Sequence, residues 1–343
     1  MNAIFDTAYR PHAVQDMRGR ALRDLRLSVT DACNFRCPYC MPADVVGDGP
    51  VFDSAARLSF AEIEKLVRGF AAIGVRKVRI TGGEPLLRRD LPRLIERLAG
   101  IDGIDDIAMT TNGSLLARHA RALRDAGLHR ITVSLDALDA TVFRTLSGGR
   151  GEVADVLAGI DAATAAGFAS IKVNCVVQRG VNEGEVLPLA ARFRRTPHVL
   201  RFIEYMDVGS CNGWDRARVV GTAELHARIA SVWPLHAMRP GTEGEVAVRH
   251  AYVDGAGEVG FVSSVTVPFC GDCNRARVAA DGTLYTCLFA EQGSPLRAAV
   301  DAGIDGVASR VASLWRARED RYSEQRADTD APRQRVEMFL VGG

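Results

Sequence analysis

The amino-acid sequence predicts an α/β protein built on an incomplete, TIM-like (β/α)6 barrel with a C-terminal extension. Six short apolar segments alternate with helical segments between residues 25 and 235, and this alternation is typical of a parallel sheet. Parallel strands buried on both faces are almost wholly apolar. Here at least four strands alternate apolar with polar residues, which favours an open barrel around a wet, ligand-holding cavity.

The predicted strands span residues 25–30, 75–80, 107–110, 131–135, 171–176 and 200–205. The pattern S/T/N-x-x-E predicts helix starts at Ser59, with Glu62, and at Asn182, with Glu185. After about residue 235 the alternation changes to Gly-rich short strands and a helix near 303–318. We therefore expect an N-terminal segment (1–24), a barrel core (25–235) and a C-terminal domain (236–343).

Composition excludes several classes of protein. The 343 residues carry 43 basic and 42 acidic side chains, a net charge of +1, which does not suit a polybasic nucleic-acid coat. The polar N-terminus has no signal-peptide core, and no apolar run is long enough to span a bilayer. We expect a cytoplasmic protein with no nucleic-acid or membrane partner. In that compartment its eight cysteines are too sparse for a disulfide scaffold, and clustered ones indicate metal ligands.

Three cysteines, Cys33, Cys37 and Cys40, follow directly on the first predicted strand. A zinc site needs a fourth cysteine or histidine, and His12 is the only histidine in the first hundred residues. A [4Fe–4S] cluster with three cysteine ligands leaves one iron open. The spacing C-x3-C-x2-C, with Tyr39 before the third cysteine, resembles the radical S-adenosylmethionine (SAM) enzymes, whose open iron binds the methionine part of SAM.

A second motif, residues 81–85 (TGGEP), ends the second predicted strand. Its two glycines allow a close backbone approach, and Glu84 can accept hydrogen bonds from an ammonium group. Alone the motif is an ordinary turn. Beside the cysteine loop it resembles the radical SAM segment that holds the amino group of SAM.

The second cysteine cluster contains Cys270, Cys273 and Cys287. A zinc ribbon would need a fourth ligand, which Cys211 could supply only through a long-range contact. Arg275 and Arg277 lie on one side of the extended segment beside these cysteines. Two guanidinium groups beside a metal site suit a phosphate, and a surface arginine pair is the alternative.

Over nearly its whole length the chain resembles one radical SAM family, the GTP 3′,8-cyclases, also called molybdenum cofactor biosynthesis protein A. The resemblance rests on both cysteine clusters, on the Cys-Asn-Arg-Ala-Arg run and on the terminal pair Gly342-Gly343. Further matching segments are residues 26–31, 79–84, 133–137, 202–209 and 320–323. The fold implied is the radical SAM barrel, with the extension carrying a second iron–sulfur cluster.

The resemblance also implies cofactors, substrate and residue roles. Cys33, Cys37 and Cys40 would hold the SAM-binding [4Fe–4S] cluster, and Cys270, Cys273 and Cys287 a second cluster whose open iron takes the guanine edge of GTP. The implied SAM contacts are Tyr39, Gly83, Ser134 and Met206. The implied GTP contacts are Arg26, Arg79, Thr110, Lys172, Arg275, Ala276 and Arg277. No catalytic side chain is implied beyond the cofactors, because a 5′-deoxyadenosyl radical removes the ribose 3′ hydrogen before ring closure at guanine C8.

The implied partners are GTP, an unidentified reductant and a downstream pterin-forming enzyme that receives the product, and we expect a homodimer. Two alternative interpretations remain: a peptide-modifying radical SAM maturase and a zinc-stabilised binding module.

Of the two remaining cysteines, Cys175 alternates with apolar residues and is expected in the core. Cys211, in a Gly-Ser-Cys-Asn-Gly loop, is either exposed and reactive or simply tolerated. The terminal glycines are expected in the active site, with a frayed terminus as the alternative.

Overall fold

The computed structural model describes residues 13–47, 54–241, 244–326 and 335–342. Its central feature is a single twelve-stranded sheet. The strands are β1 (Asp24–Ser28), β2 (Lys77–Thr81), β3 (Asp106–Thr111), β4 (Arg130–Ser134), β5 (Lys172–Val177), β6 (Val199–Glu204), β7 (Leu235–Ala237), β8 (Val248–Tyr252), β9 (Glu258–Val262), β10 (Arg275–Val278), β11 (Thr283–Tyr285) and β12 (Ser294–Pro295).

Helices connect most of these strands. They are α1 (Ala43–Val46), α2 (Phe60–Ala72), α3 (Leu91–Ala99), α4 (Leu116–Asp125), α5 (Ala140–Leu146), α6 (Val153–Ala165), α7 (Val186–Phe193), α8 (Thr222–Ala230), α9 (Arg297–Asp301), α10 (Ile304–Arg316), α11 (Tyr322–Gln325) and α12 (Met338–Val341). Within the described residues, no helix combines the length and apolar character that crossing a bilayer requires.

The six predicted strands correspond to β1–β6, with each end within two residues of its predicted position. They pair in chain order and in parallel, which confirms the predicted (β/α)6 arrangement. On one face, Leu25, Leu27, Val78 and Ile80 are fully buried in the hydrophobic core. The alternate residues face the other side, so the polar face forms as the alternation predicted.

The C-terminal region extends this sheet at both edges. Strand β10 pairs in parallel with β1, and β9 pairs in parallel with β6. Eight parallel strands therefore lie side by side, flanked by the antiparallel strands β11 and β12 at one edge and β8 and β7 at the other. The sheet is continuous across residue 235, and the proposed division into domains there stays a prediction.

One of the two predicted capping boxes is confirmed. At the start of α2, the Ser59 hydroxyl accepts from the Glu62 amide, and the Glu62 carboxylate accepts from the Ser59 amide. The prediction at Asn182 is wrong, because α7 begins at Val186 without a side-chain cap. The Asn182 amide is instead buried, where it donates to the carbonyl oxygens of Asp136 and Val176, each at 2.9 Å.

Candidate functional site

The polar face of the parallel strands surrounds a cavity of about 360 Å³. Every parallel strand contributes to its lining, which includes Arg26, Arg79, Thr110, Thr132, Lys172, Arg201, Val262 and Arg275. The cavity is therefore the wet interior that the alternating strands predicted, and positively charged side chains dominate this part of its wall.

The cations in this cavity repel one another. Burial, together with Arg277 and Arg275, holds the pKa of Arg26 well below its usual range. Burial and the neighbouring Arg201 lower the pKa of Lys172 to about 8. Arginine keeps its charge in proteins, so the lowered pKa of Arg26 reflects a charge that is buried, first of all, and repelled by its neighbours. A bound anion with several negative charges would relieve that repulsion.

The hydrogen bonding of Arg79 also indicates a bound anion. The Nη1 atom of Arg79 donates to Thr132 Oγ1 at 3.1 Å and to Thr110 Oγ1 at 3.3 Å, and these two bonds fix the guanidinium plane. Its Nε is buried and has no hydrogen-bond partner among the described residues. An unsatisfied buried donor is costly, and a phosphate oxygen in the cavity would satisfy it.

The second cysteine cluster opens onto the same cavity, since Cys270, Cys273 and Cys287 all line it. Arg275 Nη2 lies 3.9 Å from the Cys273 sulfur. Burial raises the pKa of Cys273, but Arg275 and Arg318 outweigh burial and bring that pKa to about 6. The thiolate, which is the form that binds metal, is thus favoured at Cys273.

Two buried arginines from distant parts of the chain support the backbone of this second cluster. Arg20 donates to the carbonyl oxygen of Cys270 at 2.9 Å, and Arg318 donates to that of Cys273 at 3.0 Å. Both arginines also bind the Asp16 carboxylate, at 2.6 Å and 3.1 Å. The cysteine loop is thereby held from both ends of the sequence, and no local sequence pattern signals this.

The first cysteine cluster lies on the loop after β1, where the amides of Cys40 and Met41 both donate to the carbonyl oxygen of Cys37. The buried Arg36 side chain donates to the carbonyl oxygens of Cys33, at 2.7 Å, and Gly47, at 2.6 Å. These bonds fold the loop around its own arginine, and Cys33 and Cys40 are near enough to Cys37 to raise its pKa.

The thiols of the first cluster suit a group with several metal cations. Burial, followed by repulsion from Cys40 and Cys33, raises the pKa of Cys37 well above its usual range, and burial raises that of Cys33 to about 11. Three neighbouring thiolates therefore need compensating positive charge, which cluster iron supplies. All eight cysteines are free thiols. Among the described residues, no three candidate ligand side chains converge on a point for a single metal ion; a cubane cluster distributes its ligands over separate irons.

The glycine pair after β2 brings its turn against the cysteine loop. Gly83 donates to the Thr30 carbonyl oxygen at 2.9 Å, and Glu84 donates to that of Ala32 at 2.8 Å. A Cβ atom on Gly83 would lie 2.4 Å from the Ala32 oxygen, which is a prohibitive contact. The glycines therefore serve a close approach between two backbone segments.

Glu84 is held in place by groups of the protein. Its side chain is fully buried, where it accepts from the Thr111 hydroxyl at 2.7 Å and from the Asn112 amide at 2.8 Å. Burial raises its pKa to about 7. The carboxylate thus ties the turn to the end of β3, and its predicted contact with an ammonium group stays a prediction.

The residues predicted to contact SAM lie at the carboxyl ends of the strands and on the cysteine loop. Met206, after β6, lines the cavity. Ser134 ends β4, opposite Asn174 of β5. The Tyr39 hydroxyl bonds to Asp136, which follows β4. These positions are compatible with the predicted contacts, which stay predictions.

Among the predicted GTP contacts, Ala276 differs from its neighbours. Arg275 and Arg277 line the cavity, whereas the Ala276 methyl group lies in the hydrophobic core. Only the Ala276 backbone is available to a ligand. Arg201 of β6 was not predicted, yet it lines the cavity and its guanidinium binds Asn174 Oδ1 at 2.7 Å and 2.9 Å. Its alternation with buried Leu200 and Phe202 is the signal that could have identified it.

The two isolated cysteines differ in their surroundings. Cys175 is fully buried, as predicted. Cys211 lies beside the first cluster, with its sulfur 4.0 Å from the Cys40 carbonyl oxygen and 2.9 Å from Glu337 Oε2. Burial and that carboxylate raise the pKa of Cys211 to about 12, which favours a tolerated thiol over a reactive one, the two alternatives for this residue.

Gly342, the last described residue, reaches the cavity wall. Arg277 donates to the carbonyl oxygens of Val341 and Gly342. A Cβ atom on Gly342 would lie 2.2 Å from the Thr81 side chain, so only glycine fits there. Gly343, the other residue of the predicted pair, lies outside the described residues.

Comparison with known proteins agrees with this fold and site. The Radical SAM superfamily model matches residues 27–193, and the Molybdenum Cofactor Synthesis C model matches residues 198–324. Among solved structures, Streptococcus suis SuiB bound to S-adenosylmethionine has a TM-score of 0.62 at 13% identity, covering 93% of this chain and 77% of that one. The chain is thus a radical SAM protein by fold and by its cysteine loop.

Curated relatives define the family more narrowly. The GTP 3′,8-cyclase of Xanthomonas axonopodis pv. citri is 64% identical over 96% of this chain and 99% of its own length. The GTP 3′,8-cyclase of Acidothermus cellulolyticus is 52% identical over 94% of this chain and 91% of its own length. That of Staphylococcus aureus is 44% identical over 96% of this chain and 99% of its own length. The chain belongs to the GTP 3′,8-cyclase family. Membership confirms the predicted class of cofactors, iron–sulfur clusters with SAM, while the role of each residue stays a prediction.

Proposed function

We propose that this protein converts GTP to (8S)-3′,8-cyclo-7,8-dihydroguanosine 5′-triphosphate, the first step of molybdenum cofactor biosynthesis. One observation carries the proposal: a single cavity joins buried cations on the barrel strands to the second cysteine cluster. Phosphates suit the cations, and a nucleobase suits the open iron of a three-cysteine cluster. Family membership points to the same reaction.

The cations of the cavity would orient the triphosphate. In this proposal Arg26, Arg79 and Lys172 bind phosphate oxygens together with Arg275 and Arg277, and Arg201 belongs to the same group because it lines the same wall. Thr110 hydrogen-bonds to Arg79, so it contributes by fixing that guanidinium group. Ala276 would contribute through its backbone. Several cations fixed on different strands hold a flexible chain of phosphates in one orientation.

The cysteines would hold the clusters, with Cys33, Cys37 and Cys40 at the first site and Cys270, Cys273 and Cys287 at the second. Around the first cluster, Tyr39, Gly83, Ser134 and Met206 would surround SAM. When bound, the first cluster and SAM supply the 5′-deoxyadenosyl radical that removes the ribose 3′ hydrogen. The protein orients the two ligands and excludes water, which prevents side reactions of a reactive species.

The decisive experiment is an anaerobic incubation of the reconstituted protein with SAM, a chemical reductant and either GTP or ATP. We expect 5′-deoxyadenosine and the cyclised nucleotide with GTP, and neither above background with ATP. In Arg79→Met, the KM for GTP should rise about 10- to 100-fold, because one charge-assisted hydrogen bond contributes about 1.5–3 kcal/mol. Arg121→Met, on the exposed face of α4, is the matched control. SAM cleavage that does not depend on GTP would refute the proposed substrate.

The two alternative interpretations, a zinc-stabilised binding module and a peptide-modifying maturase, predict different results for the same purified protein. A zinc-stabilised binding module would contain zinc without sulfide, whereas two cubane clusters give about eight irons per chain. A peptide-modifying maturase would cleave SAM in response to a peptide and not to GTP. The likeness to SuiB concerns the fold, at 13% identity, and the cationic cavity favours a nucleotide.

We further propose a cytoplasmic homodimer that receives electrons from a reductant still to be identified and passes its product to a pterin-forming enzyme. Cysteines clustered as metal ligands, and not paired along a disulfide framework, are typical of a reducing compartment. Sedimentation of the anaerobic protein tests the dimer, and a monomer at micromolar concentration would contradict it. Stimulation of product conversion by the next enzyme, at fixed product concentration, tests the transfer.

A further inference from the structure

A buried carboxylate lies beside the cavity in the loop after β6. This residue, Asp207, directly follows Met206, which lines the cavity. The Tyr322 hydroxyl donates to Asp207 Oδ2 at 2.6 Å, and Arg326 Nε donates to Oδ1 at 2.9 Å. Arg335 donates to Oδ2 at 2.9 Å and to the Asp207 carbonyl oxygen at 2.8 Å. One carboxylate thus binds three side chains from the C-terminal part of the chain.

These four residues form a hydrogen-bonded network around a buried carboxylate, which we call the Asp207 network. The side chains of Asp207, Arg326 and Arg335 are only 9%, 7% and 11% exposed. The Tyr322 oxygen also accepts from Arg335 Nη2 at 2.6 Å, and the Arg335 guanidinium lies 4.3 Å from the centre of the Tyr322 ring. Because a buried charge is costly without its partner, removing the carboxylate should weaken the hold on both arginines, although Arg326 keeps its bond to the Ser264 carbonyl oxygen at 3.0 Å.

The chain that follows this network leads into the cavity. The Val336 amide donates to the Ala290 carbonyl oxygen at 2.9 Å, and the Glu337 carboxylate accepts from the Ser210 amide at 2.9 Å. At the far end, Arg277 binds the last two described carbonyl oxygens, those of Val341 and Gly342. Residues 335–342, which we call the C-terminal segment, therefore run from Asp207 at one end to a cavity-lining arginine at the other.

We infer that Asp207 is a positioning residue that docks the C-terminal segment and, through Met206, couples this docking to the loop that faces SAM. The inference rests on the proposed cyclase function for its effect on the reaction, but not for the docking itself. Asp207 does not line the cavity, so its effect on the reaction acts through its neighbours. Loss of the carboxylate should loosen the segment while both clusters remain bound, so that SAM cleavage is less often followed by cyclisation.

The test uses the full-length, reconstituted protein and two kinds of measurement. Hydrogen exchange detected by mass spectrometry reports the docking of the C-terminal peptide, and the ratio of cyclised nucleotide to 5′-deoxyadenosine reports coupling. The variants are Asp207→Asn, which removes the charge, and Tyr322→Phe, which removes one hydroxyl and retains the ring. Glu224→Gln on α8 is the matched control, since Glu224 also binds two arginines, Arg179 and Arg228, and lies partly exposed.

We expect the C-terminal peptide to exchange about tenfold faster in Asp207→Asn and several-fold faster in Tyr322→Phe, because exchange follows local opening. The coupling ratio should fall in the same order, with iron content unchanged and with Glu224→Gln like the parent. In the double variant Asp207→Asn/Arg335→Met, the second substitution should add little, as expected for partners in one network.

Other outcomes would overturn specific parts of the inference. Unchanged exchange of the C-terminal peptide in both variants would refute docking by Asp207. Faster exchange with an unchanged coupling ratio would refute its effect on the reaction and leave a purely structural network. If the parent protein yields no cyclised nucleotide from GTP, the proposed function fails, and hydrogen exchange still decides the docking.

Discussion

The hydroxyl of Tyr39 donates a 2.6 Å hydrogen bond to Oδ2 of Asp136. Tyr39 lies between the second and third cysteines of the first cluster, and Asp136 follows β4 and is itself fixed by the Val176 amide at 2.8 Å. This single bond therefore joins the cysteine loop to the barrel on the opposite side from its covalent attachment at β1. It gives the aromatic residue of the cysteine motif a structural role besides any contact with SAM.

Tyr39→Phe tests this role. The substitution leaves a buried carboxylate oxygen without its donor, so the free energy of unfolding should fall by about 1–3 kcal/mol. Chemical denaturation of the reconstituted protein under anaerobic conditions measures it. The control is Tyr285→Phe on β11, since the Tyr285 hydroxyl has no hydrogen-bond partner among the described residues. Equal losses in the two variants would contradict a specific role for the Tyr39 bond.

Gly83→Ala should separate the turn after β2 from the cysteine loop, because its Cβ atom would lie 2.4 Å from the Ala32 carbonyl oxygen. We expect loss of about four irons per chain, equivalent to one cluster, and loss of SAM cleavage. Iron and sulfide analysis after reconstitution measures the first effect. Gly184→Ala is the control, because nothing lies within 4 Å of a Cβ atom there. Full iron content in Gly83→Ala would show that the loop accommodates the methyl group.

The lowered pKa of Lys172 predicts that GTP binding depends on pH. Burial and neighbouring Arg201 lower its pKa to about 8, so the free enzyme loses this charge as the pH rises through about 8. The KM for GTP should rise by up to about tenfold between pH 7 and pH 9, because the charged fraction of a group with a pKa of about 8 falls about tenfold over that range.

Lys172→Arg retains the charge over this range and should flatten the profile. Lys65→Arg, on the exposed face of α2, should leave the profile unchanged. A profile that persists in Lys172→Arg would assign the titration to another group, with Lys77 the first to test, because its pKa is also lowered by burial to about 8.

The two cysteine clusters should separate functionally. Cys33→Ser should abolish SAM cleavage, whereas Cys270→Ser should retain uncoupled cleavage and lose cyclisation, because only the second cluster faces the cationic cavity. Each variant should lose about four irons. Cys211→Ser is the control and should keep full iron content, since Cys211 binds Glu337 through its thiol. Equal loss of both reactions in Cys270→Ser would argue against separate roles.

Much of the barrel was predictable from sequence because its signal is local. The alternation along each strand identified both the strands and the face that carries Arg26, Arg79 and Lys172, and the structure places all three in one cavity. Local spacing also located the cysteine loops. The same reasoning applied to β6 would have included Arg201, which alternates with buried residues as the others do.

Other parts of the site were not predictable because they depend on contacts between distant segments. Asp16 joins Arg20 and Arg318 beside the second cluster, across about three hundred residues of sequence. Asn182 has the sequence of a helix cap, but burial gives its amide better partners in Asp136 and Val176. The sequence of the Glu84 turn does not show that its carboxylate accepts from the Thr111 hydroxyl and the Asn112 amide at the end of β3. In each case tertiary burial decides which of several possible hydrogen bonds forms.

The pairing of β1 with β10 has a consequence for how this protein is made. The first barrel strand to leave the ribosome, Asp24–Ser28, obtains its outer neighbour only when Arg275–Val278 has been synthesised. Contacts between segments so distant in sequence form slowly. Cys270 and Cys273 immediately precede β10, so closing this edge of the sheet also assembles the second cluster site. We therefore expect iron insertion at that site to follow completion of the chain, whereas the first cysteine loop emerges early in synthesis.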